Sequence, residues 1–157
     1  MLYQQKYGKV AVVAQTGGDY TDPVTAMNDL GSWCGAPSFA NPCLVKIMPG
    51  VYDISTGTVA MREFVDVEGS GESVTKITGH IGGAPGVLTG SNNAEIRFLT
   101  VENTGGGQVA IAIYNNNASP KITNVSIVSY GGLNSSIAMY NSASSAIVTN
   151  VNASANG

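Results

Sequence analysis

Charge is what this sequence has least of. Only 11% of its 157 residues are Asp, Glu, Lys or Arg, against about 25% in ordinary domains. Seven basic residues give no clustered Lys/Arg surface, so a nucleic-acid partner is not expected. Apolar runs such as Val10 to Ala14 are far too short to span a bilayer, so no membrane segment is expected. Met1 to Lys9 is polar and has no apolar stretch of the kind a secretory signal needs. There are two cysteines, one histidine and one tryptophan. Two cysteines with a single remote His80 do not make a zinc site, and neither a metal nor another cofactor is expected. No Asp follows Asp66 and no Arg follows Arg97.

Hydrophobic residues make up 43% and there are 20 glycines, with abundant Asn, Ser and Thr. That composition excludes disorder and suits short strands joined by tight turns. It does not suit exposed helices, whose outer faces carry Lys and Glu.

An internal repeat decides the fold class. Ile111-Ala112-Ile113-Tyr114-Asn115 recurs as Ile137-Ala138-Met139-Tyr140-Asn141, a shift of 26 residues. Thr123-Asn124-Val125 recurs as Thr149-Asn150-Val151, and Ser119 as Ser145, at the same shift. A gapless period places equivalent residues one above another. Within a unit the apolar period is two: Val109, Ile111 and Ile113 alternate with Ala110, Ala112 and Tyr114. Ile96 and Phe98 alternate too, but Leu99 and Val101 shift phase, which predicts a bend or a bulge. Leucine-rich repeats have units of similar length but need a Leu lattice that is missing. The expectation is all-β: a right-handed, single-stranded parallel β-helix with coils of about 26 residues.

The first part of the chain differs. Lys9 to Ala14 reads as a strand. Asp22-Pro23 is a helix start, Val24, Met27 and Leu30 follow at helical spacing, and Gly31 is the expected stop. A solenoid must cover its open interior at each end, so this helix is the expected N-terminal cap, with Trp33 packed against it. The expected division is residues 9–35 for first strand and cap, and 43–157 for coils, within one domain. No second cap is legible, because the sequence ends inside a unit that began near Ile137. Self-association through this end is the corresponding expectation.

Several residues invite a functional role. Cys34 and Cys43 lie nine residues apart; a disulfide and two separate buried thiols both suit that spacing. Asn115 is expected inside, with Asn141 above it, and Asn124 and Asn150 form a second stacked pair. Asp66 and Glu68 alternate on one strand face; a weak cation site and a solvated outer face are the two options, the second favoured. His80 reads as a surface histidine. Four Asn-X-Ser sequences, at Asn117, Asn124, Asn134 and Asn152, follow from the composition. Tyr114 above Tyr140, beside Ala112, Ala138 and Leu88, would make an apolar strip on which a sugar or a protein could rest, unless the rings merely form a ladder.

The segments Gly17-Gly18-Asp19-Tyr20, Ile47-Met48-Pro49-Gly50-Val51-Tyr52, Val67-Glu68-Gly69-Ser70-Gly71, Thr75-Lys76-Ile77-Thr78-Gly79 and Ile96 to Asn103 occur in an order that resembles the pectin methylesterases and their pectin-lyase-like relatives, over roughly residues 10 to 115. Bacterial β-helix repeat proteins with the same start resemble the chain more closely still. The resemblance implies a β-helix and a polysaccharide partner, but its catalytic part does not carry over. Those esterases use two aspartates, an arginine and glutamines on one outer sheet face. Their first glutamine precedes a run matched here by Ala110 to Ile113, which puts Val109 in its place and leaves Gln108 one residue early. A one-residue slip turns a strand side chain to the other face. Tyr130 to Asn134 stands where a Gln-Asp-Thr-Leu element belongs. The sequence therefore predicts a non-catalytic structural or binding β-helix, with a place in a larger bacterial extracellular or surface protein as the corresponding expectation; a carbohydrate-active enzyme of the pectinesterase or lyase kind is the alternative.

Overall fold

The computed structural model describes residues 6–157. The chain coils into a parallel β-helix. Along one face run β1 (Lys9–Val13), β2 (Cys43–Ile47), β5 (Val65–Glu68), and the first halves of β8 (Glu95–Asn103), β10 (Lys121–Tyr130) and β12 (Ile147–Asn156). A second face stacks β3 (Gly50–Asp53), β6 (Thr75–Gly79) and the second half of β8, which continues into those of β10 and β12. The third is the sheet of β4 (Val59–Ala60), β7 (Leu88–Thr89), β9 (Val109–Asn116) and β11 (Ser135–Ser142).

The register confirms the repeat. Lys121 lies between Glu95 and Ile147, and Ile113 pairs with Met139, all at a shift of 26. Earlier coils are less regular: Val67 pairs with Ile96, but Ile77 pairs with Val101. The turn from Gly69 to Val74 absorbs the difference.

The bend expected between Phe98 and Leu99 is real, and its geometry recurs. Phe98, Asn124 and Asn150 have φ of 57°, 52° and 50°, and all three drop out of an otherwise continuous ladder. A left-handed residue turns each strand from the first face to the second. Asn tolerates that conformation far better than a bulky residue does. Asn124 and Asn150 are thus stacked corner residues.

Inward positions carry the core: Val45, Ile47, Val65, Val67, Ile96, Leu99, Ile122, Val125 and Ile127 are fully buried. Each large aliphatic side chain contributes about 1.5–3 kcal/mol by leaving water. In β9 the expected inward run holds only from Ile113. The ladder to β11 skips Ala112 and Ala138, and both alanines join the core, while Ile111 is buried outside the main apolar cluster. The phase shifts there because the strand turns a corner.

The cap is a helix pair. In α1 (Pro23–Asn28) Asp22 accepts from the Thr25 amide. The following α2 (Leu30–Trp33) contains Gly31, so Gly31 does not end the helical segment. The stop falls at Gly35, at φ 81°, whose amide donates to the Leu30 carbonyl. Ala26 and Met27 enter the core, and the Trp33 indole donates to the Ala26 carbonyl at 2.8 Å. Cys34 and Cys43 are disulfide-bonded, tying the cap to β2.

Candidate functional site

Outward side chains of the first face form the most concentrated chemistry of the described residues. Neighbouring strands set Asp66 and Glu68 of β5 beside Glu95 and Arg97 of β8, with Lys46 on one side and Lys121 and Thr123 on the other. Alternation on each strand turns both members of a pair outward.

Arg97 is the hub. Its Nε donates to Glu68 Oε2 at 2.7 Å, and its Nη1 to Glu95 Oε2 at 3.0 Å and Asp66 Oδ2 at 3.2 Å. Its Nη2 donates to the Tyr7 hydroxyl at 2.6 Å, and that hydroxyl donates to Asp66 Oδ2 at 2.5 Å. Further donors reach the same carboxylates. Lys6 and the Glu95 amide bond Asp66, Lys46 bonds Glu68, and Thr123 bonds Glu95. The Arg97 side chain is only 11% exposed.

These contacts set the ionisation. Burial alone would raise the Asp66 carboxyl, but hydrogen bonds from Tyr7, Lys6 and the Glu95 amide outweigh it and hold the group below its ordinary value. Burial likewise opposes Glu68, and Lys46 and Arg97 win there. Burial would lower Arg97, yet Tyr7 and Glu68 push it up. Burial and the Asp66 hydrogen bond raise Tyr7. A general acid at neutral pH needs a carboxyl raised toward 7. Asp66 and Glu68 are shifted the opposite way, so they stay ionised.

The solvated outer face expected for Asp66 and Glu68 is therefore corrected: Asp66 is buried and both carboxylates are bound to cations of the chain itself. Among the described residues, no three His, Cys, Asp or Glu side chains are grouped to hold a metal ion.

Beside this cluster a groove of about 620 Å³ runs across successive coils. Its floor is built of corner residues tied by backbone hydrogen bonds: Cys43 to Phe64, Phe64 to Asn93, Lys121 to Ala94 and Ile147 to Pro120. Phe39 and Phe64 line one part, Ile147 another, and Lys6, Glu95 and Lys121 bring charge to its edge. Phe39 is 90% exposed. It stands on the loop between the two cysteines, where Asn41 Nδ2 donates to the Cys34 and Ala36 carbonyls. The groove thus pairs apolar surface with adjacent donors and acceptors.

The tyrosine pair has a different geometry. Tyr114 and Tyr140 stack with ring centroids 5.5 Å apart and planes 9° from parallel. Each ring covers a face of the other. The strip expected beside them is not formed, since Ala112, Ala138 and Leu88 are all buried. The contact is that of a cross-strand ladder.

Of the asparagines, Asn115 is fully buried, and its Nδ2 donates to Asn141 Oδ1 at 2.8 Å. Its own Oδ1 is buried without a partner among the described residues, against Gly90, where any side chain would collide with it. His80 is exposed, with Nδ1 3.3 Å from Thr104 Oγ1. The role of Arg97, the groove and the buried Asn103 were not singled out from the sequence. The signal for the first was present: Asp66 and Glu68 alternate on one strand, and Glu95 and Arg97 on the next. Phe39 and Phe64 carried no such signal, because they meet only through the coil.

No family model matches the sequence, and no curated protein matches it significantly. Solved structures do. A pectin methylesterase determined in complex with a hexasaccharide superposes with a TM-score of 0.58 at 16% identity, covering 85% of this chain and 45% of that one. Pectin methylesterase of Erwinia chrysanthemi gives 0.57 at 15%, covering 86% and 46%. At that identity the likeness establishes the β-helix fold alone. The chain spans less than half the length of these neighbours.

Proposed function

We propose that this chain is a non-catalytic structural β-helix domain that holds a polysaccharide in the groove beside β5 and β8, outside the cell or at its surface. The observation that carries this proposal is the pairing of Asp66 and Glu68 with Arg97, Lys6 and Lys46. A carboxyl serving as general acid at neutral pH must be raised toward 7; these two are held below their ordinary values.

The groove suits a sugar chain. A pyranose offers an apolar C–H face and a rim of hydroxyls that both donate and accept. Phe39 and Phe64 supply surface for the first, and Lys6, Glu95 and Lys121 supply partners for the second. The disulfide supports an oxidising location.

The other reading, a carbohydrate-active enzyme, is favoured by the fold of the neighbours, one of which was determined with a bound hexasaccharide. Two measurements separate them. Release of methanol or of unsaturated ends from pectin, at a rate that falls with the Glu68→Gln variant, would establish the enzyme and end the non-catalytic proposal. Calorimetric titration with pectin and homogalacturonan oligomers tests the groove, with Phe39→Ala and Phe64→Ala each expected to weaken binding about tenfold. Tyr114→Ala and Tyr140→Ala should leave it unchanged; a loss confined to these two would move the site to the tyrosine face.

A further inference from the structure

The chain has three phenylalanines, and its apolar core holds none of them. Phe39 stands on the disulfide-closed loop, and Phe64 lines the groove with it. Phe98 is 40% exposed at the corner where β8 turns from the first face to the second. A large apolar side chain kept out of the core forgoes the burial that would stabilise the fold.

Two of the three also stand on an unfavourable backbone. Phe64 and Phe98 have φ of 60° and 57°. The left-handed region is costly for a bulky residue, because Cβ crowds the following carbonyl. In the coil above each, the same corner carries an asparagine in the same conformation. The Phe64 amide donates to the carbonyl of Asn93, whose φ is 53°. Phe98 lies beneath Asn124, whose φ is 52°. The fold accepts Asn at both corners, yet Phe stands at both in adjacent coils. Residues held in such conformations gather where a site demands them. The Phe98 corner is also fixed: the Gly71 amide donates to its carbonyl at 2.8 Å, and Gly69 packs so closely against it that any side chain would collide.

The two phenylalanines bracket one surface. Val67 pairs with Ile96, which sets Phe64 under Asn93 and Gly69 under Phe98. From Asn93 to Phe98 the strand direction covers about 17 Å at about 3.3 Å per residue. Between these margins lie Glu95 and Arg97, with Lys121 and Thr123 on the next coil. A band of polar groups between two aromatic margins matches an extended, amphipathic chain. The C–H faces of a sugar chain rest on the rings, and its hydroxyls meet the band between them.

We infer that the polysaccharide crosses the first face along its strands, from the groove at Phe39 and Phe64 to Phe98, and that Phe98 is a binding residue retained although it weakens the fold. This rests on the reading of the groove as a sugar site, and it adds a contact that the groove lining does not include.

Calorimetric titration of the full chain with homogalacturonan dimers and hexamers, paired with thermal melts, tests it. Phe98→Asn is expected to bind the hexamer about tenfold more weakly than the wild type, and the dimer equally well. Its melting temperature is expected to be about 1–4 °C higher. Phe39→Ala is expected to weaken both oligomers. Unchanged hexamer binding in Phe98→Asn overturns the inference and leaves the groove reading in place. So does a melting temperature that falls, which would make Phe98 a structural residue. Hexamer binding that is weakened by Phe98→Asn but not by Phe39→Ala or Phe64→Ala would support the contact at Phe98 and overturn the groove. A wild type that binds neither oligomer ends both.

Discussion

Asn103 treats Ile81 as a strand neighbour would: its Oδ1 accepts from the Ile81 amide at 3.1 Å, and its Nδ2 donates to the Ile81 carbonyl at 2.8 Å. The same amide bonds the Ile111 carbonyl and the Gly105 amide. A side chain with no exposure thereby satisfies four backbone groups at a corner where the ladder cannot. Replacing Asn103 with Ala should cost about 3 kcal/mol in urea denaturation, since buried backbone groups lose their partners. Asn115→Ala should cost about 1 kcal/mol, because that side chain makes one hydrogen bond and already leaves an oxygen unpaired.

The repeat drew attention to Asn115 and Asn141 and passed over Asn103. Asn103 stacks on Ser129, and Ser129 lies beneath Ala155, so the column changes residue at each level. Self-similarity reveals only what is repeated. The fold was legible because the inward aliphatic residues and the left-handed corner recur at a fixed spacing. The groove was not, because Phe39 comes from an irregular loop and Phe64 from an early coil of different length.

Arg97→Met removes the hub of the outer face and leaves Asp66, Glu68 and Glu95 facing one another. A loss of about 3 kcal/mol is expected, in the range for breaking a largely buried ion pair on one side. Arg97→Lys should recover only part, because an ammonium cannot reproduce the planar fork.

Acid should act on the same cluster. Asp66 and Glu68 have folded-state pKa values below their ordinary 3.8 and 4.5. The folded protein therefore binds fewer protons than the unfolded chain as these groups titrate. Their stabilisation is complete above those ordinary values and is lost as pH falls through the lower folded ones. The melting temperature should show no loss from these two groups between pH 7 and 5, then drop below pH 4. In Arg97→Met that drop should be shallower. An equally steep acid limb in the variant would place the responsible carboxylates elsewhere.

Backbone preference gives a prediction of opposite sign at neighbouring levels. Phe98 holds φ 57° with a bulky side chain, where Asn124 and Asn150 stand in the next coils. Phe98→Asn should raise stability by about 0.5–1 kcal/mol. Asn124→Val should lower it by about 1–2 kcal/mol, with Asn124→Gly close to neutral. Thermal melts of the three variants check the order.

That column of left-handed corners has a consequence for how such a molecule changes size. The unit of β10 carries its own corner residue and meets the units of β8 and β12 at the same shift of 26 residues. A unit can therefore be duplicated or deleted in the gene without a new solution for the turn. Every such event lengthens or shortens the rod by one strand spacing, about 4.8 Å. Reach then becomes a digital property, set by copy number and read out in steps of a single hydrogen-bonded layer.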